Sequence, residues 1–167
     1  MLHYTLRAES VKERCSILLY KMRLNTLQFG SLEVSEQDYI RFDHGLPGFP
    51  DLRNFVLCGG EEYDPFKYLL SVERPEIAFL LVAPELVDPK YQVQLNEEAY
   101  SSLQWETAHT LATYATVTLS SKAEESTVNL LAPILINGNT MRGFQLIQDS
   151  SGYPVRRRLI DTSQPTL

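Results

Sequence analysis

The chain of 167 residues is 44% hydrophobic and 22% charged, a composition that places it among compact globular proteins and excludes wholesale disorder. One domain of this size buries around two thirds of the surface its unfolded form exposes, and no apolar run reaches the ~20 residues needed to cross a bilayer. The formal net charge is -6, and residues 31–98 hold fourteen acidic against five basic side chains, a balance that repels nucleic acid and either suits a basic protein partner or is simply a solvated acidic face.

The first 21 residues differ from the rest. Residues 7–14 have a helix-compatible composition, and the apolar run 16–20 that follows is too short for a membrane span and weak as a secretory core. The segment reads either as an extension upstream of an alternative start at Met22 or as an appended helix packed on the main body.

From residue 24 onward, short strands alternate with Gly, Pro, Asn and Asp punctuation, the pattern of a β-rich domain. Residues 24–29 and 38–42 each alternate apolar and polar positions, and Gly30-Ser31 between them offers a turn, so they are expected to pair. Residues 54–58, 67–72 and 77–83 are denser apolar runs and read as central strands covered on both faces. Asn96 before Glu97-Glu98 is an N-cap with acids in the first turn, which predicts a helix over the run 99–105.

A long strand is expected over 110–119, rich in Thr, Val and Tyr. Residues 128–137 continue the strand pattern, but Pro133 lacks an N–H for the ladder, so the segment is an edge strand, a bulge or two short strands. Asn137-Gly138 predicts a type I′ hairpin returning through 141–148. Residues 156–160 add a last strand, and 161–167 form a polar tail. Eight to ten strands with one or two short helices make a mainly β, single-domain antiparallel β-barrel-like fold, in which closure removes exposed edges.

The chain offers little chemistry. Asp43 and His44 are neighbours on extended chain and point apart, which does not make an oriented base. His109, four residues after Trp105, reads as a packed or solvent-facing ring. Cys58 precedes two glycines, with no basic neighbour or helix N-terminus to lower its pKa. The two cysteines, Cys15 and Cys58, show neither a secreted disulfide pattern nor a metal motif, which points to a reducing compartment. No catalytic residue, cofactor site or metal site is expected.

Two rigid segments suggest binding instead. In Asp43-His-Gly-Leu-Pro-Gly-Phe49, Gly45 and Gly48 permit unusual backbone angles and the Pro47-Gly48 pair suits the centre of a type II turn. Such a loop either presents Leu46 and Phe49 to a partner or caps a sheet with a buried Phe. In the segment 129–137, Asn129 and Asn137 either lock loops through backbone hydrogen bonds or read a partner's backbone.

Phe42-Asp-His-Gly-Leu-Pro-Gly-Phe49, Pro65-Phe66, Phe79-Leu-Leu-Val-Ala-Pro84, Tyr91, Asn129-Leu-Leu-Ala-Pro-Ile-Leu-Ile-Asn137 and Gly143-Phe-Gln-Leu-Ile147 occur in the order that resembles the FliW family of flagellar assembly factors. The resemblance runs from about residue 24 to about residue 159. It divides the chain into an extension over 1–21, a barrel domain over 22–160 and a tail over 161–167. It implies a cytoplasmic protein without enzymatic activity that binds flagellin and the translational regulator CsrA, releasing CsrA's repression of flagellin translation when flagellin has been exported.

On this view the protein is monomeric when free and touches neither nucleic acid nor membrane. The contact surface is expected at Gly45, Leu46, Pro47, Gly48 and Phe49, with Asn129, Pro133 and Asn137, and the acidic residues Glu61, Glu62 and Asp64 steer a basic partner. The alternative is a barrel that binds a flavin or another flat ligand, which nine Tyr and seven Phe would suit.

Overall fold

The computed structural model describes residues 21–160, which form ten strands and one α-helix. The expected extension and tail lie outside the described residues, apart from Lys21. In chain order the strands are β1 Lys21–Thr26, β2 Gly30–Ser35, β3 Ile40–Arg41, β4 Asn54–Cys58, β5 Phe66–Ser71, β6 Ala78–Val82, β7 Leu111–Thr118, β8 Thr127–Asn137, β9 Arg142–Gln145 and β10 Arg157–Arg158, with helix α1 at Glu97–Leu103.

Each strand from β3 to β9 pairs antiparallel with the next, and β9 returns to pair with β3. Seven strands therefore close into a barrel. A meander of odd number brings its first and last strands into the same direction, so the seam must be parallel, and it is: Arg41 pairs with Arg142. The short β10 adds to the first half of β8 through Arg157 with Val128.

Alternation along the strands sorts the core into an inside and an outside. Phe42, Phe55, Leu69, Leu81, Ile134 and Ile136 fill the barrel interior. On the outer face of β4 and β5, Val56 and Leu70 meet Leu24 and Val34 of the β1–β2 hairpin. Outside β8 and β9, Leu135 and Leu146 are covered by Ala99 and Leu103 of α1. Each fully buried Leu, Ile or Phe contributes about 1.5–3 kcal/mol of transfer free energy, so the hairpin and α1 are held mainly by these few side chains.

The helix follows its sequence signal. Asn96 Oδ1 accepts the Ala99 N–H at 2.8 Å, Glu97 and Glu98 occupy the first turn, and Gln104 ends the helix with φ 47°. It stops short of the expected 105, yet Trp105 and His109 still meet edge to face at 5.9 Å.

Three local expectations need correction or refinement. The segment 24–29 does not pair with 38–42. Thr26 Oγ1 accepts the Phe29 N–H at 3.0 Å and donates to Gly30 O at 3.0 Å, so the chain turns over residues 27–29 and β1 pairs with β2. Gly30, at φ +63°, opens β2 instead of ending a turn. The β8–β9 hairpin forms, but not as a two-residue type I′ turn: Asn137 pairs with Arg142 across four loop residues. The Asn137 Oδ1 accepts the Asn139 N–H at 3.0 Å, an Asx turn that keeps Asn137 in its strand, and Met141 takes the positive φ of 54°. Finally, β8 runs unbroken past Pro133, but the expected interruption is present in its ladder. Register jumps from Tyr114–Ile134 to Thr116–Asn129, leaving Ala115 opposite residues 130–133.

Candidate binding surface

The loop between β3 and β4 is built by its glycines and proline. Leu46 and Phe49 exchange both backbone hydrogen bonds, at 3.3 and 2.7 Å, around Pro47 and Gly48. With φ +85° at Gly48 this is the type II turn that the Pro-Gly pair predicts. Gly45 is fixed more tightly: at φ +66°, a Cβ there would lie 2.4 Å from Phe49 O. Leu46, only 3% exposed, enters the barrel core, and Phe49 sets its ring edge-on to Phe79 at 5.5 Å. Pro47 and Gly48 are left exposed. The loop both caps the barrel end and projects a rigid tip.

The 129–137 segment is shaped by side chains that answer its ladder break. Asn129 Oδ1 accepts the Ala132 N–H at 3.1 Å, and Gln145 Nε2 donates to Ala132 O at 3.0 Å. Tyr91 donates its hydroxyl to Leu130 O at 2.7 Å and accepts from Gln148 Nε2 at 3.0 Å. Burial of Tyr91, reinforced by Tyr153, pushes its pKa well above the ordinary tyrosine value. These bonds replace the ladder partners that Pro133 and the bulge remove.

Structure brings part of the two predicted segments together. Leu46, Pro47 and Asn129 line one cleft of about 350 Å3 at the barrel mouth, beside Phe79, Thr116 and Gln145. Pro133 is buried, and Asn137, 0% exposed, sits at the opposite end of β8. There Asn137 Nδ2 donates to Leu103 O at 2.9 Å and lies 3.0 Å from His109 Nδ1. The Thr140 hydroxyl donates to the same Leu103 carbonyl at 2.9 Å, so this corner ties the end of α1 to the β8–β9 hairpin.

The acidic residues Glu61, Glu62 and Asp64 are exposed between β4 and β5. Glu61 and Glu62 open a 3-10 turn whose third residue, Tyr63, packs on Phe29 at 5.0 Å and Tyr68 at 5.9 Å. Asp64 pairs with Lys67 at 3.2 Å. This surface is separate from the barrel mouth.

Sequence reading missed the seam. Asp43 accepts from Arg41 Nε at 3.0 Å and from Arg142 Nη1, clamping β3 to β9. Partial burial pushes the Asp43 carboxyl up, but the hydrogen bond from Arg41 and the charge of Arg142 hold it below the usual carboxylate range. The i, i+2 spacing of Arg41 and Asp43 is a usable signal; nothing local points to Arg142.

Candidate chemical groups are dispersed. His44 is exposed on the loop while its neighbour Asp43 is engaged by the arginines. Burial, with Asp38 nearby, pushes the Cys58 thiol up to about 11, the opposite of activation. Among the described residues there is no group of three His, Cys, Asp or Glu side chains able to hold a metal ion, and no helix is long and apolar enough to cross a membrane.

The fold defines a class: a small closed meander barrel, plugged at one end by a rigid loop, with its distinctive surface in that loop and the adjoining mouth. The family model described as FliW protein matches residues 23–159, and the chain belongs to this family of flagellar assembly factors. The flagellar assembly factor FliW of Caldanaerobacter subterraneus subsp. tengcongensis is 40% identical over 141 residues, covering 84% of this chain and 94% of that protein. That of Desulfitobacterium hafniense is 36% identical over 143 residues, covering 86% and 94%. A crystal structure of the flagellar assembly factor FliW superposes with a TM-score of 0.79 at 33% identity, over 84% of this chain and 98% of that one.

Proposed function

We propose that the protein is a non-enzymatic, cytoplasmic partner switch that binds flagellin and, when released from it, sequesters the translational regulator CsrA and so relieves repression of flagellin translation. The observation that carries this reading is the family match across residues 23–159, which spans the whole barrel. Charge supports it: an exposed acidic loop at Glu61, Glu62 and Asp64 on a chain of net charge -6 is complementary to a basic RNA-binding protein and repels RNA phosphates. The exposed Pro47-Gly48 tip, held in shape by Gly45, Leu46 and Phe49 and with Asn129 beside it, is the contact surface in this reading. Pro133 and Asn137 are buried and contribute by fixing β8, Asn137 from its opposite end.

The flavin-barrel reading has no feature in its favour. Phe42, Phe55, Leu69, Leu81 and Ile134 occupy the space that a flat ligand would need.

Calorimetric titration with CsrA, alone and after saturation with flagellin, tests the switch. Tight binding that flagellin abolishes is the expected result. Heat absent with both partners would discard the reading.

A further inference from the structure

The ladder between β8 and β9 continues past the end of β9. Leu146 N–H donates to Pro133 O and Gln148 N–H to Leu131 O, both at 3.0 Å. Backbone groups of successive residues on a strand point to opposite sides. Those of Gln145 and Ile147 therefore point away from β8, and among the described residues they meet no backbone partner there. That side is where β3 has already ended, because the seam consists of the one pair Arg41–Arg142.

Beyond Arg41 the chain swings out into the loop and leaves a cleft of about 370 Å3. Gly143, Gln145 and Ile147 form one side of it; Pro47, Pro50 and, from α1, Glu98 form the others. Neither proline has an N–H to offer the open edge.

We propose that this edge is a β-augmentation site. It takes a short extended segment of a partner protein, pairs it with the backbone of Gln145 and Ile147, and meets a basic residue of that segment with Glu98.

Three observations support this assignment. Proteins blunt exposed edges with charge, proline or a bulge, and the edge Gly143-Phe-Gln-Leu-Ile-Gln148 has no charged residue or proline. Ile147 leaves 54% of its surface exposed, an apolar position suited to a cross-strand neighbour. Glu98 is exposed and makes no ion pair among the described residues, so the cleft wall is electrostatically matched to a cation. The site stands whichever partners the family reading names, since it recognises extended backbone.

The test uses the full chain, labelled with nitrogen-15 and titrated with a capped pentapeptide of sequence Thr-Val-Lys-Val-Thr. Expected are shifts and slowed exchange at the amides of Gln145 and Ile147. A copy of the peptide N-methylated at both valines should bind about tenfold more weakly, as should Ile147→Pro, which deletes one edge donor. Ile147→Ala, which keeps the donor, should lose much less. Trp105 emission and the melting temperature report that each variant is folded. Millimolar peptide that leaves residues 143–148 unperturbed, or undiminished binding by folded Ile147→Pro, overturns the assignment. Sedimentation that reveals a peptide-free dimer dissolved by Ile147→Pro also overturns it, by placing a second copy of the chain in the cleft.

Discussion

Phe42 lays its ring where a side chain on Gly143 would stand: a Cβ there would lie 2.2 Å from the ring's Cζ. The absence of one carbon thus lets β3 and β9 approach at the barrel seam, and lets Phe42 reach Phe55 edge-on at 5.2 Å. Both rings are almost completely buried, so neither has room to retreat. Gly143→Ala is expected to destabilise the fold by about 2–3 kcal/mol through overpacking. Gly48→Ala provides the contrast. No atom lies within 4 Å of a Cβ at Gly48, so only its φ of +85° opposes the change, at about 1 kcal/mol. Urea midpoints of the two variants, measured side by side, check the order.

Asn137 joins three elements at the far end of the barrel. Its amide donates to Leu103 O and faces His109 Nδ1, while its carbonyl accepts from Asn139. Truncation to Ala removes one of the two donors to Leu103 O, which keeps Thr140, and releases the Asn139 N–H from its Asx turn, so Asn137→Ala should cost about 1–3 kcal/mol. Because Trp105 packs against His109, the single tryptophan reports the same corner. Its emission should shift in the variant before global unfolding, and an unchanged spectrum with unchanged stability would refute the clasp.

These two sites mark how far the sequence could be read. Strand content, the Asn96 cap, the Pro47-Gly48 turn and the ladder break near Pro133 were legible because each depends on neighbours in the chain. The hairpin partner of β1 was misread because the deciding bonds come from Thr26, a residue that strand propensity treats as ordinary. Gly143 was visible only as part of a strand, and its purpose depends on Phe42, distant in sequence. The Asp43–Arg142 clamp and the convergence of Leu46 with Asn129 are likewise products of barrel closure, which local pattern does not encode.

Asp43 supplies a pH prediction. Its carboxyl is held below the ordinary value of 3.8 in the folded chain, with Arg41 and Arg142 overcoming the opposing effect of burial. A depressed carboxylate stabilises the fold above its unfolded pKa and loses that contribution as pH falls through the folded value. Wild type should therefore exceed Asp43→Asn in stability near neutrality, and the gap should close as pH drops below about 4. Denaturation midpoints of both proteins between neutral and acidic pH measure it. A gap that stays constant to acid would show that the seam does not depend on this charge.

The acidic loop supplies the last prediction, which rests on the proposed partner. Glu61, Glu62 and Asp64 are exposed, and Asp64 pairs with Lys67 at the surface, so reversal of their charge alters the field without touching the core. Long-range attraction raises association rates and is screened by salt, whereas dissociation follows the contacts made after docking. Glu61→Lys with Glu62→Lys should slow association with CsrA by about tenfold at low ionic strength and flatten its salt dependence, with little change in dissociation. Adding Asp64→Lys should extend the trend. Stopped-flow rates across a salt series separate the two arms. A fall confined to dissociation would move these residues from steering into the contact itself, and rates unchanged in both arms would remove the loop from the encounter altogether.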